Sequence, residues 1–255
     1  MARFPTVIKF FNIASYLLLA TLVSEPEFRF EYHNSYIHPN FFVFYFWNLI
    51  QWLLGFFLFY QFIDLANETI VDGIGWLFVG SALLNSVWLV LVVFDYLILA
   101  WLAILIVSIQ LSLIYYNLKY KYPPQNRFDT YFIHLPFNIY HAWVIVISVI
   151  SLFISFIPDK DSDSQPLPGF VIQICSVIAL VILDLVAMGY IYKGKGDFVG
   201  SGVIVISLFG IALQQGDVII HWVALGLGIK TTILMIIYYI KKFYRRNEEQ
   251  IPLLV

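Results

Sequence analysis

The sequence predicts an all-α polytopic membrane protein with eight transmembrane helices. Hydrophobic residues make up 61% of the 255 residues and charged residues only 12%, which departs far from the composition of a soluble globular protein. Long apolar runs separated by short polar segments recur along the whole chain, and a run of about 18 or more apolar residues is long enough to cross a bilayer as a helix. No polar segment between these runs is long enough to form a soluble domain.

The eight predicted helices follow the apolar runs in chain order. Their bounds are residues 7–23, 41–62, 74–94, 96–116, 134–157, 169–192, 198–216 and 217–240. Asp95 alone separates the third helix from the fourth, and Gly216-Asp217 separates the seventh from the eighth, so each of these pairs is expected to form a tight hairpin. The longer segments 24–40, 63–73, 117–133 and 158–168 are expected to be loops.

The distribution of lysine and arginine predicts the orientation of the chain, because cytoplasmic loops of membrane proteins accumulate these residues. With the N-terminus in the cytosol, eleven cations fall on the cytosolic side, Arg29 and Lys160 fall outside, and Lys230 lies within a helix. The eleven are Arg3, Lys9, Lys119, Lys121, Arg127, Lys193, Lys195, Lys241, Lys242, Arg245 and Arg246. Removing or adding one helix would put many of these eleven cations on the outer side, so the charge distribution supports the count of eight helices. With an even number of helices and a cytosolic N-terminus, the sequence predicts that both termini are cytosolic.

Two alternatives to this topology follow from short motifs. Arg3, Lys9 and the apolar run 11–22 could form a signal peptide that is cleaved near Ser24. The triplet Asn67-Glu68-Thr69 is a glycosylation sequon, and a glycan there would place the loop 63–73 outside the cell. That loop is acidic, short and close to the membrane, which favours the unmodified form.

Asp184 and Lys230 are ionisable residues inside predicted helices six and eight, and such residues usually face a partner, a cavity or a pathway. Asp184 lies 9 residues before Lys193 and Lys230 lies 11 before Lys241. At 1.5 Å per residue these separations are roughly 13 and 16 Å, so the two charges have similar depths. We expect an intramembrane charge pair that either fixes helix packing or takes part in ligand, proton or ion handling. Unpaired charges and a Schiff base on the lysine are further alternatives.

No motif in the sequence indicates a catalytic residue or a metal site. The P-loop, the Gly-rich dinucleotide turn, the nucleophile elbow and paired catalytic carboxylates are all absent from the sequence. The single cysteine, Cys175, excludes an intramolecular disulfide and a cysteine-based metal cluster. His134 and His141 share a helix face seven residues apart, a spacing more typical of hydrogen-bonded packing than of a metal site. We therefore expect a non-enzymatic protein with no nucleic-acid partner, while the cofactor and the oligomeric state stay open.

The C-terminal tail contains a candidate sorting motif. Glu249, Leu253 and Leu254 match the pattern Glu-x-x-x-Leu-Leu, which resembles the acidic dileucine signal that adaptor complexes bind on endolysosomal and vacuolar membrane proteins. The motif follows a basic helix end that is expected to be cytosolic. In a eukaryote this would predict an adaptor complex as a partner and an endolysosomal or vacuolar membrane as the location.

Aromatic residues are unusually abundant, with 7 Trp, 17 Tyr and 24 Phe. Trp76, Trp101 and Trp222 lie where interfacial anchors are expected. Other aromatic residues lie in the middle of the predicted helices, where they either pack the core or line a pocket for a flat apolar ligand. These are Phe46, Trp47, Trp52, Trp88, Tyr140 and Trp143.

Three short motifs in predicted helices two, three and five indicate a family. They are Phe46-Trp47-Asn48-Leu49-Ile50, Leu84-Asn85-Ser86-Val87-Trp88 and Leu135-Pro136-Phe137-Asn138-Ile139-Tyr140-His141-Ala142-Trp143. In order and spacing they resemble the motifs of the translocator protein family, also called tryptophan-rich sensory proteins (TspO/MBR). The chain is more similar to larger relatives with extra C-terminal spans, and the likeness covers about residues 7–157.

The resemblance implies a TspO-like five-helix bundle over residues 1–157 whose aromatic cavity binds porphyrins, sterols or similar lipophilic molecules. A three-helix extension over 158–240 and a cytosolic tail over 241–255 would follow. The resemblance assigns Trp47, Asn85, Trp88, Tyr140 and Trp143 to the cavity or its wall. We therefore expect a binder, sensor or transporter of a small lipophilic ligand. The alternatives are an ion- or proton-coupled secondary transporter or channel that uses Asp184 and Lys230, and a structural or trafficking-partner protein.

Overall fold

The long elements of the described chain are all helices, and no strand occurs in the part of the chain that the structure describes. The computed structural model describes residues 5–24, 35–63, 66–157, 169–194 and 196–249, with side chains as far as residue 244. The helices are α1 (Pro5–Ser24), α2 (Tyr45–Tyr60), α3 (Trp76–Val93), α4 (Leu97–Tyr116), α5 (Leu135–Phe156), α6 (Phe170–Tyr192), α7 (Phe198–Gln214) and α8 (Val218–Glu249). A 3₁₀ turn, Phe41–Phe44, leads directly into α2.

Seven of these helices are long and apolar enough to cross a membrane when adjoining helical turns are included, as for α2, which forms one span with its 3₁₀ turn over Phe41–Tyr60. The exception is α7, an apolar helix of 17 residues. The all-α membrane fold is confirmed, and helices occupy all eight predicted positions. The count of eight membrane crossings remains a prediction because α7 is shorter than the roughly 20 residues that a helix needs to cross the hydrocarbon core.

Two boundaries differ from the prediction for simple physical reasons. The eighth helix does not end at residue 240 but continues to Glu249, because the polar residues beyond the apolar run are mostly good helix formers. The segment 117–133 is not a simple loop, because it contains the helical turns Asn117–Lys121 and Thr130–His134 on either side of Pro123-Pro124. Proline removes a backbone donor and interrupts the helix between these turns.

The segment 63–73 also differs from the expected loop, because a π-helical turn occupies Thr69–Ile74. Thr69 of the sequon is buried, and the side-chain oxygen of Asn67 is inaccessible to solvent. Both features favour the unmodified form of the triplet. The turn ends at Gly75, whose φ of +51° belongs to the left-handed region that favours glycine.

The core of the molecule is organised around α5, the most buried of the candidate spans. It packs against α2, α4 and α7. Helix α1 packs against α2 and α3, and its Ile8 and Leu19 are fully buried, so the first apolar run is an integral part of the bundle. The last three helices pack against one another and join the first five mainly where α7 contacts α5.

Hydrogen bonds join the connecting segments at each end of the bundle. At one end the Tyr120 hydroxyl donates to the Lys193 carbonyl (2.8 Å), and Tyr60 donates to Asp129 Oδ1 (2.7 Å). Four described cations of the connecting segments lie at this end, as do the start of α1 and the end of α8. They are Lys119, Lys121, Arg127 and Lys193. At the opposite end Gln173 Nε2 donates to Asp217 Oδ2 (2.9 Å). This arrangement agrees with the predicted alternation of helix directions, and the side of the membrane on which each end lies remains a prediction.

Candidate functional site

Three tryptophans from three helices meet in the middle of the bundle. The Trp47 ring of α2 stacks on Trp88 of α3 with centroids 6.0 Å apart and packs edge-on against Trp143 of α5, also at 6.0 Å. Phe44 and Phe46 contact the Trp143 ring at 5.8 and 5.7 Å. We call these five side chains the aromatic cluster. Offset and edge-on ring pairs of this kind are the geometries that aromatic groups favour.

Helical spacing explains how these residues come to face one another. Asn85 and Trp88 are three residues apart on α3, and Tyr140 and Trp143 are three apart on α5, so each pair shares one face of its helix. The structure therefore brings all five residues that the family resemblance assigns to a cavity to one place between α2, α3 and α5. All five are buried.

Two polar atoms in or beside the aromatic cluster have no partner in the part of the chain that the structure describes. Asn85 Nδ2 donates to the Tyr140 hydroxyl at 2.7 Å, but Asn85 Oδ1 and Trp143 Nε1 have no hydrogen-bond partner among the described residues. Buried polar groups are paired in the large majority of cases, so an unpaired acceptor and an unpaired donor in one aromatic cluster mark a place suited to a ligand with its own polar group.

The segment 35–40, which precedes α2, is buried against the C-terminal end of α7 beside this cluster. Gln215 Nε2 donates to the carbonyls of Ser35 (3.2 Å) and His38 (2.8 Å), and the Asn40 amide donates to the Gly210 carbonyl (2.9 Å). The His38 ring lies 5.1 Å from Phe44 of the cluster. We call the contacts between segment 35–40 and residues 210–215 the α7 latch. Sequence reasoning missed it, because nothing in the sequence pairs these distant segments.

Asp184 and Lys230 are brought together between α6 and α8. The Lys230 ammonium donates to Asp184 Oδ2, and the Thr231 hydroxyl donates to Asp184 Oδ1. Only 2% of the Asp184 side chain is exposed, against 42% of the Lys230 side chain. The carboxylate is thus enclosed by two donors, while part of the lysine faces outward. Sequence reasoning missed Thr231, because nothing in the sequence distinguishes it from the neighbouring Thr232.

A second polar cluster surrounds His141, on α5, where α4 and α6 meet it. The ring contacts Ser112 Oγ through Nε2 (2.9 Å) and the Tyr190 hydroxyl through Nδ1 (2.7 Å). The Ser112 hydroxyl also lies 2.8 Å from the Ser108 carbonyl. If its single proton goes to that carbonyl, His141 must donate from Nε2 and accept from Tyr190 at Nδ1. Both nitrogens are engaged within the protein, which suits a packing role for this histidine.

Asp197 ties the start of α7 to α4 and α5 beside this histidine cluster. Its carboxylate accepts from Tyr115 (3.1 Å), from Asn138 (2.9 Å) and, at the first turn of α7, from the Gly200 amide (3.3 Å). Because Asp197 is buried, these three donors replace the water it would otherwise bind. Sequence reasoning missed this residue too, since an aspartate before a helix reads as an ordinary N-cap.

The remaining predicted sites have simpler outcomes. No group of three or more His, Cys, Asp and Glu side chains in the described part of the chain could hold a metal ion. Leu253 and Leu254 of the candidate sorting motif lie outside the described residues. Glu249 is the last residue of α8, and its side chain is likewise outside the described part.

Comparison with known protein families identifies the family to which this bundle belongs. The family model described as TSPO-like protein matches residues 6–238, from the start of α1 into α8. The chain belongs to the TSPO-like protein family. The resemblance seen in the sequence is thereby confirmed, and this TSPO-like chain is an integral membrane protein of the TspO type. No curated protein and no solved structure gives a significant match. The proposed division of the TSPO-like chain at residue 157 remains a prediction.

Proposed function

We propose that this protein is a non-enzymatic membrane protein that binds a small lipophilic ligand at the aromatic cluster, as a binder, sensor or transporter. The observation that carries the proposal is that the three tryptophans packed against one another lie beside two polar atoms without a partner among the described residues, Asn85 Oδ1 and Trp143 Nε1. Membership of the TSPO-like family supports the same site.

The chemistry of the site favours a flat, mainly apolar ligand such as a porphyrin or a sterol. The faces and edges of Trp47, Trp88 and Trp143 supply apolar contact area. The indole N–H of Trp143 could donate to a carbonyl, carboxylate or hydroxyl of the ligand, and Asn85 Oδ1 could accept from a hydroxyl or N–H. Because the rings pack closely against one another, binding requires them to part. We place the point of access beside Phe44, where segment 35–40 covers the cluster.

Titration of the purified full chain in phosphatidylcholine nanodiscs tests this proposal, with protoporphyrin IX and cholesterol as the two probes. We expect at least one probe to bind, and Trp143→Phe to weaken its binding about tenfold, because the ring packing is kept and a buried hydrogen bond is lost. Trp101→Phe is the matched control, since Trp101 packs against Phe156 outside the cluster. Binding of neither probe, or equal losses in both variants, would contradict the proposal.

A second candidate function is ion- or proton-coupled transport through the pair formed by Asp184 and Lys230. The supporting observation is the enclosed carboxylate, which is bound by a lysine and a threonine in the middle of two apolar helices. Ionisable groups at such depth are costly unless paired, and they often belong to transport pathways. The same pair could instead only hold α6 against α8.

Three variants separate these two roles: Asp184→Asn, Lys230→Met and the double substitution. A coupled pathway predicts that both single variants fold normally but move no protons in proteoliposomes that contain a pH-sensitive dye. A packing role predicts that both single variants lower the melting temperature and that the double variant recovers part of the loss, because no unpaired charge remains. Thr232→Val is the control, since its hydroxyl donates to the Gly228 carbonyl instead.

A further inference from the structure

An apolar groove of about 330 Å³ runs along the outer surface of the bundle between α1 and α2. Ile13, Tyr16 and Leu17 line it from α1, and residues between Trp52 and Phe62 line it from the α2 side. Its rim is strongly exposed, with 71% of Trp52 and 80% of Phe59 accessible. None of the five residues assigned to the aromatic site lines this groove, so it is a separate feature of the surface.

The length of the groove matches one leaflet of a bilayer. Trp52 and Phe62 are ten residues apart, which corresponds to about 15 Å along a helix. The hydrocarbon core of a bilayer is about 30 Å thick, so each leaflet contributes about half of that. Phe62 lies just beyond the end of α2, so the groove begins near the membrane surface and ends close to the bilayer centre.

A glycine and a tyrosine keep the middle of the groove open. A Cβ atom at Gly55 would lie 3.2 Å from the Tyr16 hydroxyl oxygen, so a larger residue there would crowd the wall of the groove. The Tyr16 hydroxyl donates to the Gln51 carbonyl at 2.9 Å, which holds its ring between the two helices. The wall therefore has a defined shape, and its one hydroxyl is already satisfied by the protein.

A positive charge stands at the membrane-surface end of the groove. The Lys9 ammonium lies 5.8 Å from the centre of the Phe62 ring, and no described carboxylate lies within the 4.0 Å of a salt bridge to it. Basic groups between helices at the membrane surface attract anionic lipid headgroups. The groove therefore has a positive charge at one end and an apolar wall about one leaflet long. An anionic phospholipid complements both features, the charge with its headgroup and the wall with an acyl chain.

We infer that this groove is a binding site for one anionic phospholipid of the leaflet adjoining the N-terminal end of α1. An acyl chain lies along the apolar wall between Leu17 and Trp52, and the phosphate contacts Lys9. The site is separate from the aromatic cluster, and the inference does not depend on the ligand proposed there.

Native mass spectrometry of the purified full chain tests this inference with phosphatidylglycerol and phosphatidylcholine of identical acyl chains. We expect phosphatidylglycerol to be retained about fivefold more than phosphatidylcholine, because a single lysine near the surface contributes this much preference. Lys9→Gln should remove the preference without disturbing the packing. The control Lys241→Gln, which changes an exposed lysine at the far end of α8, should keep it.

A second pair of variants tests the apolar part of the site. Leu17→Trp places a larger side chain at the groove and should reduce the retention of both lipids severalfold. Leu18→Trp changes a neighbouring exposed leucine that does not line the groove, and it should leave retention unchanged.

Four outcomes would overturn the inference. They are equal retention of the two lipids by the unaltered protein, an unchanged preference in Lys9→Gln, retention of added oleate but not of phosphatidylglycerol, and unchanged lipid retention in Leu17→Trp. Conversion of a dimer to a monomer by Leu17→Trp, with lipid retention unchanged, would assign the groove to a second copy of the chain instead.

Discussion

Asn85 and Tyr140 form a hydrogen bond in the middle of the bundle, where neither side chain is accessible to solvent. The amide has few alternatives at this position, because its other end, Oδ1, has no partner among the described residues. The tyrosine hydroxyl therefore determines whether the amide nitrogen is satisfied. Such a pair also orients Asn85 toward any ligand that enters the aromatic cluster.

We predict that Tyr140→Phe lowers the free energy of unfolding by about 1–3 kcal/mol, since it leaves a buried amide donor without an acceptor. Thermal unfolding in detergent measures the effect. Tyr131→Phe serves as the control, because Tyr131 is exposed and its hydroxyl is not enclosed by the bundle. An unchanged melting temperature for Tyr140→Phe would show that the hydrogen bond contributes nothing to stability.

Asp184 is a buried charged group that, like the buried amide of Asn85, depends on hydrogen-bond partners within the bundle. A carboxylate inside an apolar bundle needs more than one donor, and the structure supplies the Lys230 ammonium and the Thr231 hydroxyl. The sequence indicates Lys230 as a partner of Asp184 because of its charge. It does not indicate Thr231, because the hydroxyl of a threonine in a helix usually bonds to a backbone carbonyl of the same helix. Only the contact itself distinguishes Thr231 from Thr232.

At the scale of elements, α7 is the main connection of α6 and α8 to the first five helices. It packs against α5, and through the α7 latch it holds the segment that covers the aromatic cluster. Gly210 permits this close approach, because a Cβ atom there would collide with Val43 in the turn before α2. Helix α7 is therefore placed to influence access to the proposed ligand site.

We predict that Gln215→Leu loosens the α7 latch, because the carbonyls of Ser35 and His38 lose a buried donor. The amides of His38 and Asn40 should exchange with deuterium about tenfold faster, as the loss of about 1.4 kcal/mol of local stability implies. Hydrogen exchange followed by mass spectrometry of the peptide 35–44 measures this rate.

Gln214→Leu is the matched control for the latch. It removes only the exposed bond from Asn40 Nδ2 to Gln214 Oε1 (3.0 Å), so exchange in the same peptide should change by less. Equal rates in Gln215→Leu and the unaltered protein would show that the latch does not restrain the segment.

At the scale of the whole molecule, successive helices run in opposite directions, so each end of the bundle contains the starts of some helices and the ends of others. The start of α1 and the end of α8 lie at the end where Tyr120 contacts Lys193. The excess of lysine and arginine in the segments at this end predicts that it faces the cytosol. The relative placement of the helix ends comes from the fold, whereas the side of the membrane is inferred from charge alone.

Cysteine labelling tests this orientation. In a Cys175→Ser background, a cysteine introduced by Asn247→Cys should react with a membrane-impermeant maleimide only after the cells are permeabilised. Ser162→Cys, in the segment between α5 and α6, should react in intact cells. The reverse pattern would invert the topology, and labelling of both positions in intact cells would place an even number of crossings between them.

The sequence by itself determined the fold class, the helix positions and the family, because the apolar runs and their polar interruptions reflect the length that a helix needs to cross a bilayer. It also determined which faces carry the aromatic residues, since residues three apart share a helix face. Helix ends were less well determined. Good helix formers extend α8 beyond its apolar run, and helical turns occupy segments that looked like loops.

Only the tertiary structure decided which distant groups meet. Contacts between helices leave no local periodicity in the chain, so the sequence does not show them. They bring Trp47, Trp88 and Trp143 together, and they form the hydrogen bond from Thr231 to Asp184 and the α7 latch. The lipid-sized groove between α1 and α2 belongs to the same class, because its shape arises from the angle and separation of two helices. Sequence patterns constrain the faces of a helix, whereas packing sets which faces touch.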